Sequence, residues 1–195
     1  MSNYITFQDN INSTIGNNVA GYTGMSNVRG GGIYAEETVF TMFNSTVSEN
    51  SATYHGGGIY AAYDADVYIY NSTIANNTGG GIMVYYYGSA YLENTILWNN
   101  GVGHSATANP ISGYYSNIPN LYGGGTGVVD VNPNFVDPDN GDFTLQSNSP
   151  LIDAGTPDQE MTALPGLQIQ MTRTRTAPGW IWGPTIFTRL ILHQT

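Results

Sequence analysis

Asp64 and Asp66, two residues apart, are the first side chains here whose type and spacing could do chemistry. On a strand they share a face, and two carboxyl groups facing one bond are what glycoside hydrolysis requires. Their other reading is a pair of solvated turn residues leading into Asp66-Val67-Tyr68-Ile69-Tyr70. A second acidic group, Asp137, Asp139 and Asp142, leaves a weak surface Ca²⁺ site as the one cofactor still open. Gly141 comes one position too early for an EF-hand loop and no bidentate glutamate follows, so Asn140-Gly141 reads as a hairpin turn before Phe143-Thr144-Leu145. His55 and His104 have no partner ligand at strand or helix spacing and read as bystanders.

Tyrosine carries the remaining chemistry. Among the fifteen, Tyr68, Tyr70, Tyr85, Tyr86 and Tyr87 are candidate ligand contacts. Alternation turns some of them outward, where a rigid ring with a hydroxyl suits a sugar or a protein surface. Aromatics also simply pack well across strands, which is the plainer reading of any single one.

Composition limits the partners. Charged residues are 9% of the 195, there is no lysine, and the four basic residues are Arg29, Arg173, Arg175 and Arg189. A net charge of -10 without a basic patch excludes nucleic acid, whose phosphates need clustered cations. Without cysteine there are no disulfides, thiolate metal sites or thiol nucleophiles. No stretch is long and apolar enough to span a bilayer. Met1 to Asp9 does not read as a signal peptide, so export would rest on a segment upstream.

Two motifs alternate at fixed phase and must position whatever chemistry exists. One is Gly30-Gly31-Gly32-Ile33-Tyr34, Gly56-Gly57-Gly58-Ile59-Tyr60 and Gly79-Gly80-Gly81-Ile82-Met83. The other, Asn-x-x-aliphatic-x-(Asn/Glu)-Asn, runs over Asn12–Asn18, Asn44–Asn50, Asn71–Asn77 and Asn94–Asn100. Repeats of this length bury their apolar face only against copies of themselves. The spacing predicts coils of three short strands stacked about 4.8 Å apart. Gly30, Gly56 and Gly79 suit the tight corner, with Ile33, Ile59 and Ile82 beside them. Val67 and Ile69 point inward, as do Val39, Thr41 and Phe43 or their neighbours one coil earlier. Ile15, Val47, Ile74 and Leu97 form an interior column, with Ile96 competing for the last place. Asn18, Asn50, Asn77 and Asn100 form an amide ladder at a turn. Asn12, Asn44, Asn71 and Asn76 also open N-x-(Ser/Thr) sequons, a reading the ladder does not need.

These motifs resemble the right-handed parallel β-helix repeats of bacterial surface proteins. The GGGI runs and Phe7-Gln8-Asp9-Asn10 are similar to polymorphic outer-membrane protein repeats. Asn132-Pro133-Asn134-Phe135-Val136-Asp137, followed by Ser149-Pro150-Leu151-Ile152-Asp153-Ala154-Gly155, resembles the end segment of choice-of-anchor secreted proteins. The resemblance implies an all-β, right-handed single-stranded parallel β-helix, truncated at its N-terminus. It also implies an extracellular or cell-surface location.

The domain is expected over residues 1–158, with its end segment at about 130–158. Residues 159–195 lose all periodicity and hold three of the four arginines. One base back, the codons straddling Trp180-Ile181 and Trp182-Gly183 must encode aspartate and glycine, which fits a family-like closing motif read in a shifted frame. The other reading is a genuine but divergent end segment. A packed fold is not expected there, and without it the net charge is near -12.

The functional expectation is a non-enzymatic secreted or cell-surface module for adhesion or carbohydrate contact. Its partner would be a polysaccharide or a host surface component, with self-association through open coil ends. The rivals are a fragment of a polysaccharide-active enzyme and a passive stalk. Within the enzyme class a hydrolase is favoured over a lyase, which would need more cations than Arg29.

Overall fold

A computed structural model describes residues 7–21, 27–100, 105–106, 111–121 and 125–156, together with 161–162, 168–169 and 192–193. Four turns of chain stack on one another. The first carries β1 (Phe7–Ile11), β2 (Thr14–Gly16), β3 (Val19–Ala20) and β4 (Ile33–Glu36). The second carries β5 (Val39–Phe43), β6 (Thr46–Ser48), β7 (Ser51–Ala52) and β8 (Ile59–Ala62). Next come β9 (Asp66–Tyr70), β10 (Thr73–Ala75) and β11 (Ile82–Tyr85), then β12 (Ser89–Glu93), β13 (Ile96–Trp98) and β14 (Ser105–Ala106). β15 (Ile111–Tyr114) opens a further turn.

Like strands pair with like, all parallel. The first sheet is β1-β5-β9-β12-β15, the second β2-β6-β10-β13 and the third β4-β8-β11-β14, with β3 beside β7. This is a parallel β-helix of three faces. Ile33, Ile59 and Ile82 are register partners, as are Ile15, Val47, Ile74 and Leu97. Leu97 takes the interior place and Ile96 turns outward. In the first sheet Phe40 pairs with Val67 and Met42 with Ile69. The inward set of β5 is therefore the alternate one, and Phe43 lies on the outer face, stacked on Tyr70 at 4.9 Å.

Each position of the asparagine motif has a separate task. Asn44, Asn71 and Asn94 take left-handed φ of 47, 48 and 50°, which asparagine tolerates where the chain leaves the first sheet. The next residue forms a hydroxyl ladder: Ser13 N donates to Ser45 Oγ at 3.1 Å, and Ser45 N to Ser72 Oγ at 3.1 Å. After the strand a second left-handed residue, Glu49, Asn76 or Asn99, turns the closing asparagine inward. There Asn18 Nδ2 donates to Asn50 Oδ1 (2.9 Å), Asn50 Nδ2 to Asn77 Oδ1 (3.0 Å) and Asn77 Nδ2 to Asn100 Oδ1 (2.9 Å). Asn77 Nδ2 also donates to the Val47 carbonyl at 2.9 Å, and its Oδ1 accepts from Asn50 N at 3.0 Å. Every donor and acceptor of this amide is used, which is how a polar ladder survives burial.

The glycine triplets exist because of that ladder. The first glycine is left-handed, with φ of 70° at Gly30, 66° at Gly56 and 93° at Gly79. A β-carbon on Gly57 would strike the Thr78 carbonyl. One on Gly32, Gly58 or Gly81 would lie 2.9, 3.1 or 2.8 Å from the amide nitrogen of Asn50, Asn77 or Asn100. The two motifs seen in the sequence are two halves of one lock.

The chain then returns along the outside. Asn117 uses its amide as a strand would, accepting from Val131 N at 3.0 Å and donating to Val131 O at 3.1 Å. The antiparallel hairpin β16 (Phe135–Asp137) and β17 (Asp142–Leu145) follows, joined by a 3-10 turn at Pro138–Asn140 and by Gly141 at φ 80°. Phe135, Phe143, Leu145 and Leu151 bury the outward residues Ala75, Ile96 and Trp98 of the second sheet. Thr156 ends this path, its N–H bonded to Asn94 Oδ1 at 3.0 Å. Of residues 159–195 only three two-residue strands are described, β18 (Met161–Thr162), β19 (Gln168–Ile169) and β20 (Leu192–His193), paired antiparallel. The rest of that tail lies outside the described residues.

Candidate functional site

The five candidate tyrosines fall on two different faces. Tyr68 and Tyr70 lie on the outer side of the first sheet, whereas Tyr85, Tyr86 and Tyr87 lie at the corner between the third sheet and the first.

The corner is built from strained residues. The Ala65 N–H bonds to Ala62 O at 3.2 Å, closing a turn over Tyr63 (φ 50°) and Asp64 (φ 61°). One coil on, the Gly88 N–H bonds to Tyr85 O at 3.3 Å over Tyr86 (φ 42°) and Tyr87 (φ 61°). Two central residues at positive φ mark a type I′ turn, whose usual occupants are Asn-Gly. Tyrosine there costs about 1 kcal/mol or more per residue. The turns hold Tyr63 and Tyr86 stacked at 5.6 Å and leave Tyr87 68% exposed, its ring at 70° to that of Tyr86.

The aromatic surface runs on over the third sheet. Tyr85 meets Tyr86 at 4.6 Å and Tyr60 at 6.5 Å, and Tyr60 stacks on Tyr34 at 5.3 Å. Tyr60 is buried within this set at 2% exposure, whereas Tyr34, Tyr63 and Tyr86 are exposed. Tyr87 is the ring with an open face. Arg29 closes the surface at its other end, its guanidinium carbon 5.3 Å from the Tyr54 ring centre and 5.6 Å from that of Tyr60. Burial pushes the Tyr34, Tyr60 and Tyr85 phenols up, and Arg29 pulls back on all three. They are neutral hydroxyl donors throughout the physiological range.

The first sheet's tyrosines are a packed layer. Tyr91 stacks on Tyr114 at 5.3 Å and stands 6.3 Å from Tyr68 and 5.8 Å from Tyr70. Tyr91 Oη donates to Glu93 Oε2 at 3.0 Å, and Glu93 is 6% exposed. Burial, then the Glu93 charge, lifts Tyr70 to about 12 and Tyr91 higher still. Burial also raises the Glu93 carboxyl, against hydrogen bonds from Tyr91 and Thr156 that lower it.

The carboxylate candidates sit in different local settings. Asp64 is an exposed turn residue, whereas Asp66 opens β9 and accepts from Ser89 Oγ at 2.5 Å. Glu93, the next carboxylate on the Asp66 face, is four register positions along, about 13 Å at strand rise, beyond the reach of one glycosidic bond. At the hairpin Asp137 Oδ2 accepts from Asn140 Nδ2 and Asp142 Oδ1 from Thr144 N, each at 2.9 Å. The Thr144 side chain, then its backbone N–H, holds the Asp142 carboxyl below its usual range. No group of three or more metal-ligating side chains occurs among the described residues. His55 packs against Tyr54 at 4.0 Å, and His104 lies outside the described residues. Of the sequon asparagines, Asn44 is buried at 4% exposure and Asn76 Nδ2 donates to Pro138 O.

Sequence reasoning left Tyr34, Tyr63, Tyr91, Tyr114 and the stacked Arg29 out of the candidate set. A signal was present: Tyr63 to Tyr86, Tyr68 to Tyr91 and Tyr91 to Tyr114 repeat the step of 23 that links Gly56 to Gly79.

No curated protein and no solved structure matches the chain. The family model of the right handed beta helix region matches residues 2–136. With its parallel sheets in register and its asparagine and hydroxyl ladders inside, the chain belongs to the right-handed β-helix family.

Proposed function

We propose that this domain is a non-enzymatic surface-contact module that holds carbohydrate at the tyrosine corner, acting outside the cell. The observation carrying the reading is the pair of turns that keep Tyr63, Tyr86 and Tyr87 at positive φ. Residues held against their backbone preference mark places where the side chain is needed more than the stability it costs. What is gained is an exposed ring at Tyr87 beside the exposed rings of Tyr63 and Tyr86, a surface suited to the apolar face and hydroxyls of a sugar. The distance between Asp66 and Glu93 weighs against turnover.

A glycan array probed with the full chain, paired with a reducing-sugar assay, tests this. Retention of a saccharide without release of reducing ends, lost in Tyr87→Ala, is the expected result. Release of reducing ends that Asp64→Asn or Asp66→Asn abolishes would make the protein a hydrolase. Retention of nothing would leave a passive stalk.

A further inference from the structure

Resting on that reading, we infer that Arg29 makes the tyrosine face selective for a saccharide carrying a carboxylate. Arg29 is the only lysine or arginine among the described residues. Its guanidinium is fixed between the Tyr54 and Tyr60 rings, at 5.3 and 5.6 Å, so its direction is set before any ligand arrives. Among the described residues it makes no ion pair and no hydrogen bond, and its five N–H donors are left over. A planar fork of donors on an aromatic bed matches a carboxylate in two parallel hydrogen bonds.

The position joins this group to the corner. Tyr60, under the guanidinium, touches Tyr85, which touches Tyr86. Tyr60 itself is buried, but the exposed ring of Tyr34 is stacked on it, so a sugar lying on Tyr34 would present a ring substituent to Arg29. The charge of the chain narrows the class further. With a net charge of -10, the field around this one cation repels a run of acidic groups. One carboxylate is matched, whereas a polyanion is not.

The probes are a trisaccharide with one terminal glucuronate and its methyl ester, which keeps the shape and removes the charge. The full chain is expected to bind the free acid about tenfold more tightly than the ester, the worth of a charge-assisted pair. Arg29→Gln should abolish the preference for the acid over the ester, and Arg29→Lys should restore part of it. Equal affinity of the unaltered protein for acid and ester overturns the inference, and that comparison needs no variant to fold. So does a preference that survives Arg29→Gln. If neither probe binds, and no neutral saccharide does, the carbohydrate reading fails with it. If neutral saccharides bind and the acid gains nothing, only the role of Arg29 is lost.

Discussion

Two turns of the same coil solve one backbone problem in opposite ways. At the asparagine turn, Glu49, Asn76 and Asn99 go left-handed so that Asn50, Asn77 and Asn100 can point inward, where their amides bond to one another and to main-chain carbonyls of the preceding coil. At the tyrosine corner the left-handed Tyr63, Tyr86 and Tyr87 are themselves bulky, and their exposed side chains gain only contacts with other rings, with no hydrogen-bonded ladder. The first turn converts strain into hydrogen bonds that hold the solenoid. The second converts it into exposed rings. Stability and surface chemistry are thus assigned to separate corners of one repeat, and either can be altered without the other.

Substitutions at each corner can break that division. Asn77→Ala removes a fully used amide and takes the partner from the Val47 carbonyl, the Asn50 backbone N–H and one Asn50 Nδ2 N–H. A loss of about 4 kcal/mol is expected in urea denaturation, with glycan binding of the folded fraction intact. A loss under about 1 kcal/mol would mean the ladder decorates the coils and does not hold them. Replacing Tyr86-Tyr87 by Asn-Gly should do the reverse, adding about 1 kcal/mol of stability while abolishing glycan retention. A destabilised double variant would show that stacking outweighs strain there, and the contrast between corners would collapse.

The smallest effect concerns the packed tyrosine layer. Burial raises the Glu93 carboxyl above its ordinary 4.5, so the fold favours the protonated form. Stability from this group is complete below pH 4.5 and is lost as pH climbs through the raised value. Glu93→Gln should therefore melt higher at pH 7, with the gap closing as pH falls towards 4.5 in thermal scans. A variant that melts lower at pH 7 would show that the charged Glu93 stabilises its contacts.

Legibility followed the same division. The inward asparagines, the Ile15-Val47-Ile74-Leu97 column and the glycine corner were visible because stacked coils repeat their demands at nearly fixed spacing. Alternation fixes which residues share a face, and so it left β5 with two settings and could not place Phe43. Nothing in propensity foretells tyrosine at positive φ, since the residue is poor at it. Spacing alone does not divide Tyr68 and Tyr70, on the first sheet, from Tyr85, Tyr86 and Tyr87 at the corner. Arg29 looked isolated because Tyr54 and Tyr60 reach it only through the winding of the coil. Asn117 was hidden for another reason: its partner Val131 comes from the returning chain, after the repeat has stopped.

The interior amides also give the solenoid an arrow. From Asn18 through Asn50 and Asn77 to Asn100, every amide-to-amide bond runs forward, Nδ2 to the next Oδ1, while the other N–H of Asn50, Asn77 and Asn100 goes back to a main-chain carbonyl of the preceding coil. Turning one such column to face another would set donor against donor or acceptor against acceptor. Any end-on join between two copies that continued the column would thus run head to tail, and such a join repeats without closing.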